Sequence, residues 1–199
     1  GQKVRNLYKN LDNWLSNQNI NSLMRQSVKA EELFRKVGIT FNVYGEDEAE
    51  ERLIPFDLMP RIIDSKEWNL IEKGITQRLI ALNMFLEDVY SKQKIIKENI
   101  IPSKLINNNA AFLPEMCDFK PPGGIYTHIS GIDLVRTSEK NFFVLEDNLR
   151  VPSGASYMIE NRSTMMHMFP ELFTIYNVKP VFNYPDLLLK SLVKTSKSS

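Results

Sequence analysis

Two short stretches, 131–136 and 142–154, restrict this chain more than anything else in it. The second begins apolar, Phe142-Phe143-Val144-Leu145, as a buried strand does, and switches at once to Glu146-Asp147-Asn148 and, past Leu149, to Arg150. Upstream lies another short apolar run, Gly131-Ile132-Asp133-Leu134-Val135-Arg136, and the polar Ser138-Glu139-Lys140-Asn141 between them is turn-like. A β-hairpin follows from that pattern. It brings Asp133 and Glu146 to neighbouring strands, and it sets Asn148 on the side of Glu146, because side chains two apart share a face. Asp147, between them, points the other way, toward a structural hydrogen bond. Three oxygen donors then converge beside Arg136 and Arg150, a combination that suits a hard cation and phosphate.

Magnesium takes a near-octahedral oxygen shell at about 2.0–2.1 Å and keeps several waters, so two carboxylates and one neutral amide are a sufficient protein share. Arg136 and Arg150 would offset charge on a phosphoryl group. The turn Pro152-Ser153-Gly154 lets the backbone N–H groups of Ser153 and Gly154, and the helix N-terminus expected after them, approach an anion. Glu-x-Asn on a strand is, by itself, equally what a structural hairpin with a capped end would show. The whole set in its strand–turn–strand setting is more specific.

At 199 residues and 43% hydrophobic content, the chain suffices for one domain or for part of a larger protein. Its 25 Lys+Arg against 24 Asp+Glu give no electrostatic signature of a nucleic-acid or membrane binder. Cys117 is the lone cysteine, which excludes an internal disulfide, and no Cys/His spacing resembles a zinc site. With a single cysteine, a reducing cytoplasm is the expected compartment; no apolar run nears 18 residues and no signal-peptide pattern is present.

Residues 3–17 and 21–36 read as amphipathic helices, the second capped by Asn21 or Ser22 and stopped by Gly38. Residues 39–44 and 52–56 read as short strands around an acidic loop. Asp64-Ser65-Lys66-Glu67 is a capping box that opens the longest helix, 65–93. Its stripe is Trp68, Ile71, Ile75, Leu79, Leu82, Leu86, Val89 and Tyr90, with Gln77, Arg78, Asn83, Glu87 and Asp88 on a wet back. A short helix is expected over 103–107, a loop at 121–124, a helix starting at 154–162, and short packing segments at 169–173 and 178–181. A final helix fades into a Lys/Ser tail. The fold class is α+β.

The residues also resemble a known family. Asp133, Glu146, Asn148, Pro152 and Gly154 are similar to the metal-binding end of ATP-grasp carboxylate–amine ligases, the group that includes glutathionylspermidine synthetase and D-alanine–D-alanine ligase. From about Gly38 almost to the end, the chain resembles most the circularly permuted ATP-grasp family of bacteria. The resemblance rests on Gly38-Ile39-Thr40-Phe41, Pro55-Phe56-Asp57-Leu58, Gln77-Arg78, Gly124-Ile125-Tyr126-Thr127-His128-Ile129, the two stretches above, and Glu160-Asn161-Arg162.

This resemblance implies an ATP-grasp-like lobe with a mixed or antiparallel sheet flanked by helices. The implied organisation is a helical segment over 1–37, a metal-binding lobe over 38–190 and a polar tail over 191–199. It implies ATP and Mg²⁺ as cofactors, with Asp133, Glu146 and Asn148 as ligands of the ion that bridges the phosphates. Arg150 and Arg136 are the catalytic candidates, Ser153 and Gly154 hold the nucleotide, and His128, Asn161 and Arg162 are the substrate-binding candidates. The partners are ATP, a carboxylate substrate, an amine acceptor and a C-terminal ATP-grasp lobe, in a bacterial cytoplasm. The implied reaction phosphorylates a carboxylate and joins it to an amine. The alternative is a non-catalytic scaffold that docks a partner or the missing lobe, and a third reading is a phosphotransferase on the same ATP site.

Two departures from the family stand out. Some relatives carry an arginine where this chain has Gly131. Family members also continue for a few hundred residues past the equivalent of Ser199, into the adenine pocket and a phosphate-gripping lysine, so this chain reads as a fragment that does not turn over alone. Among the remaining residues, His128 reads equally as a hydrogen-bonded structural histidine and Arg162 as half of a surface ion pair. His167 reads as a packing residue, the methionines around it as core filler, and Cys117 as a buried thiol.

Overall fold

The computed structural model describes residues 3–38, 40–42, 51–54, 56–138 and 141–196. In chain order the elements are α1 (Lys9–Ser16), α2 (Ile20–Val37), β1 (Thr40–Asn42), β2 (Glu51–Leu53), α3 (Ser65–Val89), α4 (Lys94–Lys97), α5 (Ser103–Asn107), β3 (Gly131–Arg136), β4 (Phe142–Asn148), α6 (Ala155–Met168), α7 (Pro170–Tyr176) and α8 (Tyr184–Thr195). The class is α+β, as expected, and the sheets among the described residues are two separate antiparallel pairs, β1–β2 and β3–β4. The chain divides into two compact units, Gly1–Asp64 with Gly154–Asn183, and Ser65–Ser153 with Tyr184–Ser199.

The first unit is built on apolar burial. Leu11, Phe169 and Leu172 form one buried cluster, and Ala30, Phe34 and Phe56 form another, with Met165 packed against both. Trp14 meets Phe169 edge-on at 5.2 Å and Phe34 meets Phe56 the same way, the arrangement that ring quadrupoles favour. The Tyr176 hydroxyl donates to the Leu7 carbonyl at 3.0 Å and accepts from the Leu11 N–H at 2.8 Å, tying α7 to the start of α1. Asn19, not Asn21 or Ser22, caps α2, its side chain accepting from the Asn21 N–H, and Gly38 ends that helix in the left-handed region. The expected packing segment at 169–173 is helical instead. Pro170 opens α7 in its first turn, where a missing N–H costs nothing. His167 is exposed rather than packed.

The second unit hangs on α3. Its Ile71 and Val89 are buried and Ile75, Leu79, Leu82 and Leu86 half-buried, as the stripe predicts, while Trp68 is exposed. In its last turn, Asp88 accepts from the Lys94 and Ile95 N–H groups and so caps α4. These bonds hold its carboxyl below the ordinary range. The Tyr90 ring stacks between Phe112 at 5.3 Å and Tyr126 at 6.2 Å. The Asn83 side chain donates to the Gly124 carbonyl and accepts from the Tyr126 N–H, fixing the chain that leads into β3. Cys117 lies in this stretch and is exposed, contrary to the buried thiol expected. No helix among the described residues is long and apolar enough to cross a membrane.

Candidate functional site

The β3–β4 hairpin forms with Asp133 directly opposite Glu146 and Gly131 opposite Asn148. Asp133, Glu146 and Asn148 are all exposed on the outer side of the ribbon. The Asn148 Nδ2 donates to Glu146 Oε1 at 3.0 Å, so its amide oxygen is the atom left to offer a cation.

A β-bulge makes this arrangement possible. Asp133 pairs with Glu146 but Leu134 pairs with Val144, so Leu145 is an extra residue with no partner, and it is 71% exposed. Before the bulge Phe143 faces outward and Val144 inward; after it Glu146 and Asn148 face outward and Asp147 inward. Unbroken alternation from Phe143 would turn Glu146 and Asn148 toward the helix and Asp147 out. The extra residue reverses the parity of the strand just ahead of its polar end.

Inward-facing Asp147 meets Arg78 of α3. The Arg78 Nε donates to Oδ1 at 2.7 Å and Nη2 to Oδ2 at 2.6 Å, a two-point grip. The guanidinium bond, with its charge, holds the Asp147 carboxyl below its usual range and raises Arg78 in turn. Sequence reasoning put Arg78 on the wet back of α3 and so missed this role. The signal was present in part, since Asp147 had to face away from Glu146 and required a partner there.

Arg136 does not join the acidic face. It lies three positions from Asp133, an odd spacing that turns it inward, where it grips Glu67 through Nη1 to Oε1 at 2.5 Å and Nη2 to Oε2 at 3.0 Å. Its guanidinium also lies over the Phe142 ring at 4.5 Å. Arg150 is exposed, two residues past Asn148.

Pro152 returns over the ribbon. A Cβ built on Gly131 would stand 2.8 Å from the Pro152 Cβ and 3.6 Å from the Asn148 Cβ, so only glycine leaves room for the turn. Gly131 shares its face with Asp133, two residues on, so Pro152 flanks the acidic group on its own side. That contact gives a physical reason for glycine at this position. His128 accepts from or donates to the Thr195 hydroxyl of α8 through Nδ1 at 3.2 Å, and its Nε2 is buried without a hydrogen-bond partner.

In the first unit, Gly154 precedes α6 with φ +96°, a conformation that side chains resist. Asn161 is half-buried on α6. Arg162 donates to the Lys179 carbonyl at 2.6 Å and lies over the Phe173 ring at 5.7 Å, with burial lowering its pKa. Its partner is a carbonyl rather than the expected carboxylate.

Among the described residues no group of three or more His, Cys, Asp or Glu is placed to hold a metal ion. The outward set of two carboxylates and an amide carries less charge than such a cluster. It matches the donor economy of an ion that keeps much of its water. A hollow of about 590 Å³ lies behind it, between α3 and the inner side of the ribbon, lined by Ile71, Gly74, Ile75, Leu134, Phe142 and Val144. It is apolar along its floor and does not contain the acidic face.

Comparison with known proteins places these features in a family. Circularly permuted ATP-grasp type 2 matches over residues 60–199. An uncharacterised protein of Synechocystis is 43% identical over 183 residues, covering 92% of this chain and 38% of that protein. An uncharacterised protein of Mycobacterium tuberculosis is 40% identical over 189 residues, covering 95% and 34% respectively. A Frankia casuarinae protein that carries a provisional glutamate–cysteine ligase name is 36% identical over 162 residues, 81% of this chain and 18% of that protein. The chain thus spans 38% of the length of the Synechocystis relative and 34% of the mycobacterial one. The match over 60–199 takes in α3 and the whole acidic hairpin, and on it the chain belongs to the circularly permuted ATP-grasp type 2 family.

Proposed function

We propose that this chain supplies the metal-binding part of an ATP-dependent ligase that activates a carboxylate as an acyl phosphate and joins it to an amine. One observation carries the reading: Asp133 and Glu146 stand opposite each other on exposed backbone, with Asn148 bonded to Glu146 beside them. These three residues would hold a Mg²⁺. The chemistry a bound Mg²⁺ supplies is neutralisation of charge on the phosphates of ATP. Arg150, exposed two residues past β4, is suited to offset phosphoryl charge, and the Ser153 and Gly154 N–H groups to approach a phosphate oxygen. The inward turn and Glu67 grip of Arg136 support a role in holding the strand. The bonds of His128 to Thr195 and of Arg162 to Lys179 support packing roles, which leaves Asn161 as the candidate for a substrate carboxylate. A cytoplasmic setting fits this chemistry.

Isothermal titration of Mg²⁺-ATP into wild type and Glu146→Ala, in this chain and in a full-length relative, tests the proposal. Weaker binding by the variant is expected, and indistinguishable binding in both backgrounds sinks it.

The exposed apolar residues Phe143 and Leu145 on β4, and Leu187, Leu189, Leu192 and Val193 on α8, favour a second reading, a scaffold that docks a further lobe or partner chain. Self-association in sedimentation velocity supports it, and a monomer at high concentration argues against it.

A further inference from the structure

The acidic face has a backing that its own residues do not provide. Glu67 and Arg78 sit eleven residues apart on α3, which is three helical turns, so both lie on one stripe about 16 Å apart. Leu70, Ile71, Gly74 and Ile75 lie between them and line the hollow that separates α3 from the inner side of the ribbon. Glu67 grips Arg136 at one end of the hairpin and Arg78 grips Asp147 at the other. The two grips therefore pin the ribbon along α3, with β3 running opposite to the helix.

The grip at Asp147 has a consequence the other lacks. Asp147 is the residue between Glu146 and Asn148, and side chains on a strand leave the backbone alternately. Fixing both Asp147 oxygens fixes the peptide planes on either side, which set the directions in which Glu146 and Asn148 depart. The bulge at Leu145 makes such a fix necessary, because it removes regular pairing immediately before Glu146. A pair with side chains 42% and 16% exposed contributes little to stability, so a role in orientation explains the two-point geometry better than one in folding.

We propose that Arg78 is the positioning residue of the acidic face: through Asp147 it sets the aim of Glu146 and Asn148 at a shared divalent cation. This rests on the cation reading above, and the experiment separates the two.

The probe is Mn²⁺ alone, titrated into the whole chain and followed by electron paramagnetic resonance, with circular dichroism as the fold check. Wild type is compared with Glu146→Gln, Arg78→Met and Arg78→Lys. Simple electrostatics and positioning predict opposite signs for Arg78→Met. Removing a positive charge near a dication should tighten binding. Losing the orientation of two ligands should weaken it, by about tenfold or more, as partners of metal ligands generally do. Arg78→Lys keeps the charge but not the fork, so it should weaken Mn²⁺ by a smaller factor where electrostatics predicts no change. If Arg78→Met loses the fold, Arg78→Lys decides alone.

Equal or tighter binding by a folded Arg78→Met, or unchanged binding by Arg78→Lys, with loss in Glu146→Gln, overturns positioning and leaves the cation site standing. Wild-type binding by Glu146→Gln removes the site, and this role of Arg78 with it.

Discussion

In the first unit, α1, α2, α6 and α7 close on Leu11, Phe34, Phe169 and Leu172, and its long-range hydrogen bonds, such as those of Tyr176, decorate a core that burial already defines. In the second, only Ile71 and Val89 among the described apolar residues are buried, and the hairpin is held to α3 by two arginine–carboxylate grips. Apolar burial is non-directional and tolerates small shifts, whereas a two-point ion pair specifies angle as well as distance. The unit with the sparser core is thus the one whose side chains are most sharply aimed. An exposed polar face can be presented in this way without being sealed by its own support.

The contrast is open to direct attack. Phe169, 1% exposed, and Phe143, 59% exposed, are the same residue type in opposite circumstances. Phe169→Ala should cost about 3–5 kcal/mol in urea unfolding. Phe143→Ala should fall within about 0.5 kcal/mol of wild type. Equal losses would mean that the second unit hides a core of comparable weight. Gly131→Ala, which forces a methyl against Pro152, should cost about 1–3 kcal/mol by the same measurement and weaken Mn²⁺ binding as well. A neutral result would show that the turn yields easily. Gly74 lies within α3 with open space where a Cβ would stand, so Gly74→Ala should stabilise by about 0.5–1 kcal/mol without changing Mn²⁺ affinity.

The smallest effect concerns acid. Arg78 holds the folded Asp147 carboxyl below its unfolded value of about 3.9, so the stability it adds is fully present above that pH and is lost as pH falls through the folded value. Wild type and Asp147→Asn should therefore differ by a constant amount from pH 5 to 8, and converge below pH 4 in acid-unfolding curves. Convergence at neutral pH would mean that the grip is absent in solution.

Much of this was legible beforehand. Period-two spacing and a polar turn were enough to bring Asp133 and Glu146 to neighbouring strands and to turn Asp147 away from Glu146 and Asn148, because both are local consequences of a hairpin; the direct pairing of Asp133 with Glu146 comes from the bulge. The same rule, applied to the odd spacing between Asp133 and Arg136, would have turned that arginine inward too. The bulge was not legible, since Leu145 looks like any strand residue until the partner strand is counted against it. Nor was Arg78 as the partner of Asp147, which depends on where a helix 69 residues away comes to lie. The helical state of 169–173 was not legible either, because the place of Pro170 in the first turn of α7 appears only once the helix is drawn.

The eleven-residue interval between Glu67 and Arg78 works as a ruler. Inserting or deleting one residue within it would swing Arg78 by about 100° around α3, off the ribbon altogether. Substitution inside the interval is a matter of degree, but a change in its length is all or nothing. This stretch should therefore accept new side chains far more readily than a new number of them.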